Sequence, residues 1–158
     1  ETRLEPWAAS PIGAAAVSGG TQLSMSIIEL VEGAAVDATL GSPSIKENAT
    51  APILGEKEMA WFYDHYLSGA KVGARDPIVS PIYASSLANL PPAFVSTAEF
   101  DPLRDEGEDY ANKLKAAGVP VECKRYVGVF HGFLLMSKVI PEGRQLIADQ
   151  LAFLKSHL

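Results

Sequence analysis

Apolar residues along this chain recur in two periods, and the switches between those periods outline its elements. Residues 12–17, Ile-Gly-Ala-Ala-Ala-Val, form an unbroken run of small and apolar side chains with the length of a buried strand, and Ser18-Gly19-Gly20 punctuates it. Leu23, Ile27, Ile28 and Val31 follow at helical spacing up to a stop at Gly33, so the lead-in reads as strand, tight turn, helix. A brief apolar stretch from Ala34 to Val36 ends at Asp37, and a turn-rich loop is expected from Gly41-Ser-Pro-Ser44 to Pro52. Residues 56–67 have a helical pattern, with Met59, Phe62, Tyr63 and Tyr66 on one face, and Pro77 and Pro81 keep the following segment irregular.

The last third is the most legible. Pro91-Pro92 introduces a strand over residues 93–97. Asp101-Pro102 opens a helix carrying Tyr110, Leu114 and Ala117, which closes at Gly118 with Pro120 just beyond. Residues 121–127 form another strand, followed by a loop that holds His131 between Phe130 and Gly132. The final helix shows Ile147, Leu151, Leu154 and Leu158 as an apolar stripe. Strands alternating with helices predict an α/β fold, a mostly parallel sheet of about four strands with helices on both faces.

Composition narrows the function classes. The chain has 158 residues, 47% hydrophobic and 20% charged, which suits one globular domain with a real core and excludes a disordered chain. A net charge of −6 gives a nucleic-acid partner no electrostatic help, so none is expected. No apolar run approaches the ~20 residues of a membrane helix, so no membrane partner is expected either. Residues 1–5 are polar and charged, without the basic and apolar regions of a secretory signal; a start at Glu1 suggests processing or a fragment. Cys123 is the only cysteine, so no intrachain disulfide is available and a reducing, cytoplasmic setting is expected.

Two residues carry candidate chemistry. Asp101 lies just past the carboxyl end of a predicted strand, where open α/β sheets place their ligands. The dipeptide alone reads first as a helix N-cap, with Pro102 at the first helical position; a carboxylate so placed can also orient a histidine, and the two roles are compatible. His131 follows a predicted strand 30 residues later (131 − 101), across one helix and one strand, so neighbouring parallel strands would bring both loops to one sheet edge. A histidine among aromatics is commonly just packed, but imidazole is also the side chain best suited to accept and return a proton near neutral pH. His65 and His157 have no comparable setting.

The segment from Pro91 to Gly107, Pro-Pro-Ala-Phe-Val-Ser-Thr-Ala-Glu-Phe-Asp-Pro-Leu-Arg-Asp-Glu-Gly, resembles the one that carries the catalytic aspartate in hormone-sensitive-lipase-like esterases of the α/β-hydrolase superfamily. His131-Gly132-Phe133 resembles their histidine segment. Val36-Asp-Ala-Thr, Ser42-Pro-Ser and Met59-Ala-Trp-Phe-Tyr-Asp-His-Tyr-Leu67 look like the connection that precedes that aspartate. The resemblance covers residues 34–158, the carboxy-terminal half of such an enzyme, and leaves residues 1–33 as an atypical lead-in to a single, truncated domain. It implies that Asp101 holds the tautomer of His131 and that His131 activates a serine. The family's Gly-Asp-Ser-Ala-Gly-Gly elbow is absent. Ala16-Val17-Ser18-Gly19-Gly20 is the nearest match, with alanine in the first glycine position of Gly-x-Ser-x-Gly. Ser18 is therefore the candidate nucleophile and the N–H of Gly19 the candidate oxyanion donor, against the alternative of a plain Ser-Gly-Gly turn. The His-Gly-Gly-Gly loop that supplies the other donors in the family does not occur. Ser68-Gly-Ala-Lys71 matches Ser-x-x-Lys but lacks the context which that chemistry needs.

The resulting expectation is hydrolysis of small carboxylic esters by a Ser-His-Asp mechanism, with no metal or organic cofactor. Its rival is a non-catalytic fragment that serves as a binding or assembly module. A small apolar strand over residues 12–17, with no lysine or proline to blunt its edge, also predicts a homo-oligomer formed through residues 12–31.

Overall fold

A computed structural model describes residues 28–30 and 35–157. In chain order the elements are β1 (Ile28–Leu30), α1 (Pro43–Glu47), α2 (Glu56–Leu67), β2 (Ala93–Phe100), α3 (Arg104–Ala116), β3 (Val121–Phe130) and α4 (Pro141–His157). Short 3-10 turns lie at Pro81–Tyr83 and Phe133–Met136. The three strands form one sheet in the order β1-β2-β3, parallel throughout.

β2 shows why this sequence makes this sheet. Its alternate residues serve opposite faces: Ala93 and Val95 pack with Tyr110, Ala111 and Leu114 of α3, whereas Phe94 and Ala98 pack with Leu146 and Phe153 of α4. Residues Ala93 to Ala98 are all buried, the signature of a strand covered on both faces. The expected α/β class, parallel sheet and two-sided helical cover are thus all present among the described residues. Gly118 adopts φ +83°, a left-handed conformation that costs glycine least, and closes α3. There the N–H of Val119 reaches Leu114 O at 3.1 Å and that of Gly118 reaches Lys115 O at 3.0 Å, the paired bonds of a Schellman stop.

Four expectations need correction or qualification. The stripe read as a helix up to Gly33 contains β1 instead, with Ile28, Glu29 and Leu30 in register with Ala93, Phe94 and Val95. A short apolar run is compatible with either element, and pairing with β2 decides for the strand. Leu23, Ile27 and Val31, and the strand expected over residues 12–17, lie outside the described residues. Second, the loop expected after Gly41 contains α1, with Pro43 at its first turn and Ile45 fully buried. Third, α2 has the expected bounds, but Phe62 is exposed and only Met59 of the expected face is fully buried. Fourth, α4 buries Gly143, Leu146 and Phe153, while Ile147 and Leu151 of the expected stripe are 39% and 50% exposed. The helix carries two apolar stripes, and the one holding both aromatic and small residues fits against the sheet.

Candidate active site

The register of β2 and β3 brings two reactive side chains together. Ala98 pairs with Tyr126, but Phe100 pairs with Phe130, so β3 spends four residues where β2 spends two. Without this bulge Asp101 would face Val129, and His131 would lie two residues, about 6.6 Å, further along. The two surplus positions, Val127 and Gly128, are exposed, and Gly128 has φ +79°. Glu99 Oε2 accepts the Gly128 N–H at 2.7 Å and ties the bulge to β2. As a result Asp101 and His131 emerge side by side at the carboxyl ends of adjacent strands.

Asp101 is fully buried, and both its carboxylate oxygens are engaged. Oδ1 accepts the Leu103 N–H at 2.9 Å, and Oδ2 lies 2.9 Å from His131 Nδ1. A carboxylate oxygen is an acceptor, so Nδ1 is the donor and the imidazole is held in the Nδ1–H tautomer. Nε2 then carries the ring's basic lone pair, and the His131 side chain retains 27% of its exposure. The N-cap reading of Asp101 is partly realised: α3 starts at Arg104, and Asp101 caps the turn that leads into it. Beyond His131 the chain turns at Gly132, at φ +84°, and is anchored by Phe133, fully buried against Tyr126.

A second carboxyl lies beneath this pair. Glu106 is 1% exposed, and its Oε1 accepts the N–H groups of Val36 at 2.9 Å and Asp37 at 3.3 Å. Burial pushes its pKa up to about 8; the two N–H bonds oppose that shift, and the carboxylates of Asp37 and Asp101 add to it. Sequence reasoning passed over this residue. The signal was its place at the head of the Glu106, Tyr110, Leu114 stripe, a carboxyl on an otherwise apolar helix face. Ser44 and Asn48, both buried and bonded to the main chain around Asp101, escape the sequence reading because the turn-rich composition of residues 41–52 points to a loop rather than to α1.

The remaining candidates are elsewhere. Ser18 and Gly19 lie outside the described residues. His65 Nδ1 meets Trp61 O at 2.8 Å and His157 Nδ1 meets Phe153 O at 2.9 Å, so each ring is engaged with its own helix. Ser68 is exposed at the end of α2. Among the described residues no group of three or more His, Cys, Asp or Glu side chains could hold a metal ion, and no helix is long and apolar enough to cross a membrane.

A buried carboxylate, an imidazole of fixed tautomer and a partly exposed ring make a proton-transfer pair, able to serve an adjacent hydroxyl as base and then acid. Known proteins match this region. A family described as alpha/beta hydrolase fold matches residues 14–135, a span that contains Ser18, Asp101 and His131. The carboxylesterase NlhH of Mycobacterium tuberculosis is 38% identical over 123 residues, which are 77% of this chain and 39% of that protein. The ethyl acetate hydrolase of Pseudomonas putida is 34% identical over 122 residues, 77% of this chain and 38% of that protein. Among solved structures, a thermostable esterase from Pseudomonas putida ECU1011 superposes with a TM-score of 0.72 at 42% identity, covering 78% of this chain and 40% of its own. The chain spans well under half the length of the relatives it matches.

Proposed function

Because this chain belongs to the alpha/beta hydrolase fold family, we propose that it carries the proton-transfer half of a serine ester hydrolase acting on small carboxylic esters. The observation that carries this reading is the 2.9 Å contact between Asp101 Oδ2 and His131 Nδ1 at the ends of adjacent strands. Ser18 is the nucleophile. Its Oγ attacks the ester carbonyl as His131 Nε2 takes the hydroxyl proton, and the N–H of Gly19 faces the oxyanion that forms. The carbon–oxygen bond to the alcohol then breaks, and the imidazolium returns the proton to the leaving alkoxide. Water repeats the sequence on the acyl-serine: His131 removes its proton, the acid departs, and the proton returns to Ser18. Asp101 accepts the Nδ1–H throughout and stabilises the imidazolium.

Small esters fit the relatives' names, carboxylesterase and ethyl acetate hydrolase, and a cytoplasmic setting fits a sequence whose single cysteine, Cys123, is a free thiol. The test is a fluorophosphonate probe followed by peptide mapping, with p-nitrophenyl butyrate hydrolysis alongside. Label on Ser18, and loss of both label and hydrolysis in His131→Ala, are the expected results. Label on another serine would reassign the nucleophile. No label with no hydrolysis would favour the reading of the chain as a binding or assembly module, for which its short span relative to its relatives also speaks.

A further inference from the structure

We propose that α1 is a clamp on the loop that carries Asp101, with Ser44 and Asn48 as positioning residues for the Asp101–His131 pair; this rests on the functional reading above. A helix of five residues has no intrinsic stability in water, so α1 exists because of what it touches. Ile45 anchors it, fully buried. Ser44 and Glu47 of α1, with Asn48 at its carboxyl end, all turn to the segment from Asp101 to Asp105, while Lys46 pairs with Glu56 on the surface.

Ser44, itself fully buried, contributes three bonds. Its Oγ donates to Pro102 O at 2.7 Å and accepts the Asp105 N–H at 3.1 Å, while its own N–H donates to Asp105 Oδ2 at 2.9 Å. Asn48 Nδ2 donates to Asp101 O at 3.2 Å and to Ser44 O at 3.1 Å, bridging the end of α1 and the carbonyl of the functional aspartate. Glu47 adds an outer link through Arg104, whose guanidinium also donates to Glu99 O at 3.0 Å on the other side of Asp101. The carbonyls of Asp101 and Pro102 are therefore held by side chains more than fifty residues away in sequence. Fixing the backbone on the carbonyl side of the Asp101 Cα, with Oδ1 pinned to the Leu103 N–H, leaves Oδ2 one place to go, toward His131 Nδ1. An orienting carboxylate must hold its geometry within about half an ångström, which a turn following a strand end does not do unaided.

The experiment follows the Nδ1 proton of His131 by NMR in ¹⁵N-labelled full chain, with kcat and KM for p-nitrophenyl butyrate measured beside it. Asn48→Ala and Ser44→Ala are compared with Lys46→Ala, on the same helix, whose exposed ammonium pairs with Glu56 and makes no bond to the Asp101 loop. In the first two variants, proton exchange should be about tenfold faster and kcat about tenfold lower with KM unchanged, the change expected on losing one such bond. Lys46→Ala should match the unmodified protein in both. If an alanine variant does not fold, the near-isosteric Asn48→Asp and Ser44→Cys carry the comparison. Unchanged exchange in folded Asn48 and Ser44 variants would overturn the clamp, as would equal acceleration in Lys46→Ala or failure of all four variants to fold, which assigns these bonds to stability alone. An unmodified chain without hydrolysis but with a protected Nδ1 proton would remove the functional reading and leave the clamp to be judged by exchange. A proton found only on Nε2 of His131 would overturn both.

Discussion

Replacing Glu106 by glutamine should change the sign of its effect on stability as the pH rises. Glu106 is buried at 1% exposure, and its pKa is raised from 4.5 to about 8, first by burial and then by the Asp37 and Asp101 carboxylates. A carboxyl whose folded pKa exceeds its unfolded one binds more protons folded than unfolded between those two values. Its stabilising contribution is complete below about pH 4.5 and is lost as the pH climbs through about 8. The slope within that window approaches 1.4 kcal/mol per pH unit, so the whole swing is on the order of 5 kcal/mol. Glutamine keeps an acceptor for the Val36 and Asp37 N–H groups and removes the titration. Its amide nitrogen would occupy the place of Oε2, which makes no hydrogen bond among the described residues, so an unsatisfied donor costs about 1–3 kcal/mol at every pH. The variant should therefore be the less stable protein near pH 5 and the more stable one near pH 8, with a crossover between. Urea unfolding of both proteins across this range reads the difference directly. Parallel stability profiles would show that Glu106 titrates normally and would refute the reasoning.

Three further outcomes are expected. Asp101→Asn should leave the fold intact but reverse the His131 tautomer, because an amide NH₂ then faces Nδ1; ester hydrolysis should fall about 10⁴-fold, and a loss below tenfold would deny Asp101 its role. Gly143→Ala should destabilise the protein by about 1–3 kcal/mol in urea unfolding, since its Cβ would lie 2.9 Å from both Phe133 O and Ser137 Cα; an unchanged midpoint would mean that α4 can shift freely. The edge of β1 away from β2 has no partner strand among the described residues, and assembly through residues 12–31 predicts a dimer in sedimentation; a monodisperse monomer would end that proposal.

The stretch from β2 to β3 was legible because its punctuation and its periodicity agree. Pro91-Pro92, Gly118 and Pro120 bracket segments whose apolar spacing already matches strand or helix. Both strands nevertheless run further than their apolar patterns, to Phe100 and Phe130, because the ladder continues after the pattern stops. Elements defined by tertiary contact were hidden. α1 is held by Ile45, Ser44 and Asn48 rather than by helix propensity, and β1 exists by pairing with Ala93 to Val95. α4 misled in a different way: Ile147 and Leu151 of its most regular stripe are exposed, Leu158 lies outside the described residues, and the buried face is broken by Gly143, whose missing side chain lets the helix approach Phe133. Asp101 and His131 could be named from their motifs and spacing. The bulge that aligns them could not, because nothing in residues 127–129 except Gly128 marks a register shift.

That bulge makes the position of the histidine a matter of counting. The sheet below it, from Ala93 opposite Val121 to Ala98 opposite Tyr126, keeps an unbroken register, so the ladder itself does not depend on how many residues are stored above. Lengthening or shortening the stored segment by one residue would offset His131 by about 3.3 Å along the strand axis, against the hold of the buried Val129 before it and Phe133 after it. Small insertions and deletions at positions 127 and 128 are thus a route by which descendants of this chain could retune the reach of the base, provided that Val129 and Phe133 find new packing at the same time.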